Sequence, residues 1–259
     1  MGLDIINMPW DNVRKYIGGC CGNTFVILDC REIQLSRTDK INFSRQYIRK
    51  YRVDSALIIN NLKGFDVFLE IFEKDGSESE SCGNGLILIA YLLEMTNGLV
   101  KFGDTVFNIS SGPETQIISI DTNFIHTEKN LVEKNCLFVK VGEPHLIYFV
   151  DDINNFDLTE IGEKMQKKYS GGVNVDAVQK VDEFHYLIRT YERGVFAETR
   201  SCGTGSLSAY FAICLINDKM NQQSIDFRSA GGDHWVSMEK NILSLEVLRE
   251  YCHIEDLKN

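Results

Sequence analysis

This chain carries one segment twice. Ser81-Cys82-Gly83-Asn84-Gly85 returns 120 residues later as Ser201-Cys202-Gly203-Thr204-Gly205. The likeness extends upstream, where Phe72-Glu73-Lys74 stands before the first copy and Tyr191-Glu192-Arg193 before the second. Each copy opens into an apolar run, residues 86–93 in one case and 207–216 in the other. A duplicated half puts the two cysteines in matching positions about a pseudo-twofold axis. That geometry can remove a proton from one face of a carbon and add one to the other.

The 259 residues accommodate one domain or two of about 130 residues, each large enough for a core; the repeat favours two. Apolar and charged contents of 44% and 25% fit a soluble globular protein. A net charge of −10 argues against a nucleic-acid backbone or an anionic membrane as the main partner, while leaving small acidic substrates open. Residues 1–4 show no basic region leading into an apolar core, Ile6 breaks the myristoylation pattern, and no apolar run reaches the ~20 residues of a membrane helix. The expected location is the cytoplasm. There are eight cysteines (Cys20, Cys21, Cys30, Cys82, Cys136, Cys202, Cys214, Cys252) and no Cys-x-x-Cys pair, so neither a metal site nor a disulfide framework is expected. Cys30, Cys136, Cys214 and Cys252 read as small buried hydrophobes.

Short alternating runs predict strands at residues 24–29, 66–72, 116–121, 137–141, 146–150, 184–191, 235–238 and 243–248, with a turn at Asp75-Gly76. Leu158, Ile161 and Met165 predict a helix capped by Asp157 or Thr159, and residues 43–51 a second. Residues 86–93 are apolar all round, which predicts a helix buried on every side, with Gly98 just past its end. Each half then reads as a curled sheet wrapped round one central helix, and the join falls near residues 112–120.

A Cys-Gly-x-Gly at the start of a buried helix has chemical consequences. Glycines allow close backbone approach, and the helix N-terminus offers unpaired N–H donors and partial positive charge to a carboxylate or phosphate. The same field is expected to lower a thiol pKa from about 8.5 toward neutrality. Neither copy has a P-loop ending or dinucleotide-site spacing. One such loop is an ordinary Gly-rich turn; two with cysteine at the same place favour a paired catalytic role.

Further motifs then line up. Gly22-Asn23-Thr24-Phe25, Asp75-Gly76-Ser77, Gly142-Glu143-Pro144-His145, the Gly-Val-Asn-Val-Asp segment containing Asn174, Glu198-Thr199 and Gly231-Gly232 stand in order around the two cysteine motifs. On these the chain resembles, over nearly its whole length, the diaminopimelate epimerases, cofactor-independent amino-acid epimerases of lysine and peptidoglycan synthesis. The resemblance implies an α+β fold of two pseudo-symmetric domains, each a curled, mostly antiparallel sheet round a buried helix. The first would span residues 1–117, rejoined by a tail at about 248–259, and the second residues 118–247, with the active site in the cleft between. It implies no cofactor, no metal and a homodimer. Cys82 and Cys202 would be the acid–base pair. Gly83, Asn84, Gly203 and Thr204 would hold the carboxylate of the reacting centre, stabilising developing negative charge. Asn23, Asn174, Glu192, Arg193 and His145 would position the amino groups and the distal carboxylate, Arg193 being suited to bidentate binding.

Three positions depart from the family pattern. Thr24 replaces Asp, Glu143 an often-found Asn, and Glu73 an Asn that helps bind the non-reacting end of the substrate. A carboxylate at Glu73 repels a distal carboxylate unless Arg193 neutralises it, and welcomes a cation. The first reading is therefore epimerisation of LL- to meso-diaminopimelate, with Glu192-Arg193 retained. The alternatives are a racemase of another, basic amino acid (diaminobutyrate, ornithine, lysine or histidine) and a non-enzymatic thiol-redox or ligand-binding protein. Proline-type racemases share the paired cysteines but match the local motifs less well.

Overall fold

The computed structural model describes residues 8–128, 135–218 and 223–257. Residues 1–4, read above for a leader, and the last two residues of the expected tail lie outside the described residues. The first half begins with a hairpin, β1 (Lys15–Cys20) and β2 (Asn23–Asp29), followed by α1 (Arg37–Tyr51), β3 (Ser55–Asn60) and β4 (Val67–Phe72). Next come α2 (Gly83–Leu92), β5 (Asn97–Phe102), β6 (Thr105–Ser111), β7 (Thr115–Asp121) and the short β8 (Ile125–Thr127). The second half repeats this order as β9 (Cys136–Val141), β10 (Glu143–Phe149), α3 (Leu158–Lys168), β11 (Asn174–Lys180) and β12 (His185–Glu192). After an additional short β13 (Ala197–Thr199) it continues with α4 (Gly203–Asn217), β14 (Ile225–Ser229), β15 (Gly232–Glu239), β16 (Ile242–Leu248) and β17 (Cys252–Asp256).

The pairing pattern is duplicated as well. The strand pairs β2–β3, β4–β5, β10–β11 and β12–β14 are parallel, and each is bridged by a helix, the crossover that parallel pairing requires. The remaining pairs are antiparallel. The halves join along β7 and β16, where Ser119 and Ser244 face each other with their hydroxyls 2.8 Å apart; β7 spans residues 112–120 in part and belongs to this seam. Beyond the seam, β17 pairs with β1 and β8 with β9, so the last strand of each half lies on the first strand of the other. The result is one curled α+β sheet with two central helices inside it.

Burial explains which helix goes where. From Gly83 to Ala90, α2 is buried throughout, and α4 is buried from Gly203 to Cys214, as expected of helices apolar on all sides. Both lie in a single core with Leu57, Ile71, Phe107, Ile118, Leu243 and Leu245. The amphipathic α1 and α3 instead cover the outer face of each half, in separate cores centred on Phe43 and Trp10 and on Met165 and Tyr148. Gly162 of α3 lets Tyr191 lie against the helix: a Cβ there would be 2.3 Å from the ring.

Local signals account for the ends. Helix α1 starts well before residue 43, because Ser36 and Asp39 form a reciprocal capping box, a polar first turn that apolar periodicity does not reveal. Asp157, one of the two caps considered, caps α3 by accepting from the Glu160 N–H at 3.0 Å. The expected stop at Gly98 is corrected: α2 ends at Leu92, Glu94 takes the left-handed turn (φ 50°), and Gly98 lies within β5. The left-handed residue that releases the chain is thus not the glycine.

The central helices meet at their N-termini. A Cβ built on Gly83 would stand 3.0 Å from the Gly203 Cα, and one built on Gly203 would stand 3.1 Å from the Gly83 Cα. Because both obstacles are backbone, Gly83→Ala is expected to force the helices apart at a cost of about 1–3 kcal/mol. Thermal unfolding would show this as a lowered midpoint; an unchanged midpoint would mean the approach is looser than described.

Candidate active site

Each cysteine motif occupies a helix start. Cys82 is the N-cap of α2, its Sγ accepting from the Gly85 N–H at 3.4 Å. Cys202 is the N-cap of α4, with Sγ 3.4 Å from Thr204 Oγ1. Space at the motif glycines is tight at Gly85 and closed at Gly205. At Gly85 a Cβ would lie 3.4 Å from Cys82 Sγ and 3.1 Å from Leu57, and at Gly205 it would lie 2.4 Å from Asp176 Oδ1. First-turn N–H groups have no intrahelical acceptor, so two sets of such donors converge where the helices abut.

A small cavity of about 40 Å³ adjoins this point. Cys82, Asn23, Glu73, Asn174, Glu192 and Arg193 line it, together with Glu143, Asp54, Ser55, Ser79 and Ser81. Asn84 donates to Asn23 Oδ1, on the cavity lining, and, at 2.8 Å, to Ser201 Oγ. Ser201 Oγ in turn donates to the Cys21 carbonyl at 2.7 Å. Two buried polar atoms here, Ser81 Oγ and Asn84 Oδ1, have no protein partner.

His145 is placed differently from the role the resemblance implies. It sits in β10, fully buried, and does not line the cavity. Its Nδ1 lies 2.7 Å from Asp176 Oδ2 and its Nε2 lies 3.0 Å from Thr204 Oγ1. Asp176 Oδ1 also accepts from Thr190 Oγ1 at 2.7 Å. A continuous chain therefore runs Asp176, His145, Thr204, Cys202. Strand register shows that the first half lacks it: Phe25, Leu57 and Ile71 occupy the positions of His145, Asp176 and Thr190.

Glu73 and Glu192, by contrast, are matching carboxylates, each following the last strand residue paired across to the neighbouring strand. Glu73 accepts from Ser55 and Ser79 hydroxyls, both at 2.8 Å, and Glu192 accepts from the Thr199 hydroxyl. Arg193 does not neutralise Glu73. Its Nε donates to Glu143, its Nη1 donates to the Gly171 carbonyl at 3.0 Å, and Glu80 lies 3.8 Å away. Glu143 is held from the other side by the Ser81 N–H at 3.0 Å and by the Glu80 N–H.

Burial dominates the electrostatics. It pushes the Glu73 carboxyl above its ordinary range and raises Glu192 to about 8, with Glu73 adding repulsion. The expectation of lowered thiol pKa values is corrected: loss of water raises both Cys82 and Cys202, and the Glu192 charge acts in the same direction. The helix-end N–H on each sulfur opposes this but is the weaker effect. With the cavity empty, both thiols are thus held protonated.

Sequence reading missed Ser55, Ser79, Asp54, Asp176 and Ser201 as site residues. Ser201 was signalled by its place in the repeat, and Asp176 by its place in the Gly-Val-Asn-Val-Asp segment that contains Asn174. Among the described residues there is no group of three or more His, Cys, Asp or Glu arranged to hold a metal ion, and no helix long and apolar enough to cross a membrane.

The comparisons agree with this architecture. A family model for diaminopimelate epimerase matches residues 137–247. Diaminopimelate epimerase of Flavobacterium psychrophilum is 29% identical over 239 residues, covering 87% of this chain and 90% of that protein. The Campylobacter jejuni enzyme of that name is 28% identical over 240 residues, covering 89% and 93%. A hydroxyproline epimerase from Agrobacterium vitis, solved with trans-4-hydroxy-L-proline, has the same fold at 13% identity and a TM-score of 0.67, covering 96% of this chain and 94% of that one. The chain is similar over most of its length to diaminopimelate epimerases, and it is an isomerase of the epimerase and racemase class.

Proposed function

We propose that this protein inverts the α-carbon of a free amino acid by a two-base mechanism, with Cys82 and Cys202 on opposite faces of the substrate. The observation that carries this is the abutment of two cysteine-capped helix N-termini beside a cavity that Cys82 lines while Cys202 lies buried behind it. The α-carboxylate sits beside the junction of the helix ends, toward the N–H groups of Gly83, Asn84, Gly203 and Thr204. As one thiolate takes the α-proton, negative charge develops on that carboxylate, where preorganised donors stabilise it. The opposite thiol then gives its proton to the other face. The product leaves with the two sulfurs' protonation exchanged; proton exchange with solvent resets them for another turnover in the same direction, and the reverse reaction starts from the exchanged state.

One thiol must first lose its proton. Cys202 has the means: its proton passes to Thr204 Oγ1 as the Thr204 hydroxyl proton moves to His145 Nε2, and Asp176 balances the imidazolium. Cys82 has only the Gly85 N–H beside it and the apolar Phe25, Leu57 and Ile71 at the equivalent positions, which favours its neutral thiol form. The distal end of the cavity decides between diaminopimelate, whose LL-to-meso conversion the sequence pointed to first, and a basic amino acid.

Replacing either Cys82 or Cys202 with Ala is expected to lower racemisation by about 10²–10⁴-fold, the usual contribution of a positioned acid or base, while the thermal midpoint is maintained. Chiral separation of products from a single enantiomer measures this. A Cys202→Ala variant with near-normal turnover would remove the two-base assignment.

A second expectation concerns pH. Glu192 titrates at about 8 in the fold and in the ordinary carboxylate range, near 4.3, when unfolded. Between those values the folded chain keeps a proton that the unfolded chain has released. Stability from this group is therefore fully present below the unfolded pKa and is lost as pH rises toward 8. Urea unfolding at pH 5 and pH 8 should show the loss in the wild type and a smaller loss in Glu192→Gln; equal losses would exclude Glu192 as the source.

A further inference from the structure

We infer that the substrate is an amino acid with one carboxylate and a second, cationic nitrogen at the end of its side chain; this rests on the two-thiol reading of the same cavity. The argument starts from charge. Among the described residues lining the cavity, Arg193 is the one basic side chain, set against the four carboxylates of Glu73, Glu143, Glu192 and Asp54. Arg193 is already engaged, with Nε on Glu143 and Nη1 on the Gly171 carbonyl. Glu143 is itself fixed by two backbone N–H groups, which pins the guanidinium where it is. A second carboxylate on the substrate would have to compete with Glu143 for Arg193 beside Glu73.

The remaining carboxylates fit cations. Glu73 and Glu192 occupy equivalent places in the two halves, and each is held by hydroxyl groups rather than by a basic side chain. Hydroxyls fix a carboxylate's direction without neutralising it. The helix ends take the single α-carboxylate, one glutamate takes the α-ammonium, and its counterpart takes the side-chain cation. Both glutamates have raised pKa values in the empty cavity because they are buried, with Glu143 adding repulsion at Glu73 and Glu73 adding it at Glu192. A dication entering between them reverses that cost. Like-charge juxtaposition in a partly desolvated site rejects the competitor, so the same pair supplies specificity.

The experiment is α-proton exchange in heavy water, followed by NMR with the purified full-length chain. The probes are 2,4-diaminobutyrate, ornithine, lysine, histidine, diaminopimelate, glutamate and alanine. The inference predicts exchange with one or more of the basic amino acids at a kcat/KM at least tenfold above that of diaminopimelate, and none with glutamate. Glu73→Gln should raise KM for the basic substrate at least tenfold with a smaller change in kcat. Glu143→Gln, which frees Arg193, should raise relative activity on diaminopimelate. Preference of the wild type for diaminopimelate would overturn the inference and leave the two-thiol reaction standing. Absence of exchange with every probe, with calorimetric binding of a basic amino acid that Glu73→Gln weakens, would overturn the reaction and keep the charge selection. If Glu73→Gln does not fold, the wild-type preference still decides.

Discussion

The structure is organised around two helix N-termini placed end against end. Each carries about half a positive charge on its unpaired amides, so bringing them into contact is unfavourable unless something negative lies between or beside them. Only glycine allows the approach, since a side-chain carbon at Gly83 or Gly203 would meet the facing backbone at about 3 Å. The rest of the fold follows. Both helices must be buried, so each is sheathed by strands, and the sheet curls round both to close the seam at β7 and β16. The unfavourable field at the junction becomes useful once a substrate carboxylate enters it and gains charge during reaction.

The two halves share a frame but have diverged where chemistry needs it. Register places His145, Asp176 and Thr190 on the frame positions held by Phe25, Leu57 and Ile71 in the other half. One thiol therefore has a polar route for its proton and the other an apolar wall. Glu73 and Glu192 have stayed alike, each tied to hydroxyl groups. The pocket thus combines asymmetric proton handling with symmetric charge. That combination suits a reaction whose two faces are chemically equivalent but which begins only when one of two protonated thiols gives up its proton.

Much of this was legible in the residues. The repeated Ser-Cys-Gly-x-Gly announced the duplication, both buried helices and both cysteines, because sequence identity at fixed spacing survives without a three-dimensional context. Strands on half-buried faces, such as residues 116–121, show their alternation. Strand β3, Ser-Ala-Leu-Ile-Ile-Asn, is buried from Ser55 to Ile59 and gives no period to read; β1 carries two glycines for the same reason that it is silent. The start of α1 was hidden in a polar capping turn. At the site, residue types foretold the cavity's lining but not its pairings. Whether Arg193 met Glu73 or Glu143 depended on where Gly142 turns the chain (φ 69°), and the thiol shifts depended on how completely the helix ends are dehydrated.

The central claim is that the proton leaves one face and a different proton arrives at the other. It is tested by following a single pure enantiomer of the turned-over amino acid in heavy water, early in the reaction, with deuterium content measured separately in substrate and product. Two thiols on opposite faces predict a product that carries deuterium at the α-carbon from the first turnover, while recovered substrate remains protiated. A product that retains its original hydrogen, or deuterium entering recovered substrate as fast as product, would show one base serving both faces and contradict the account.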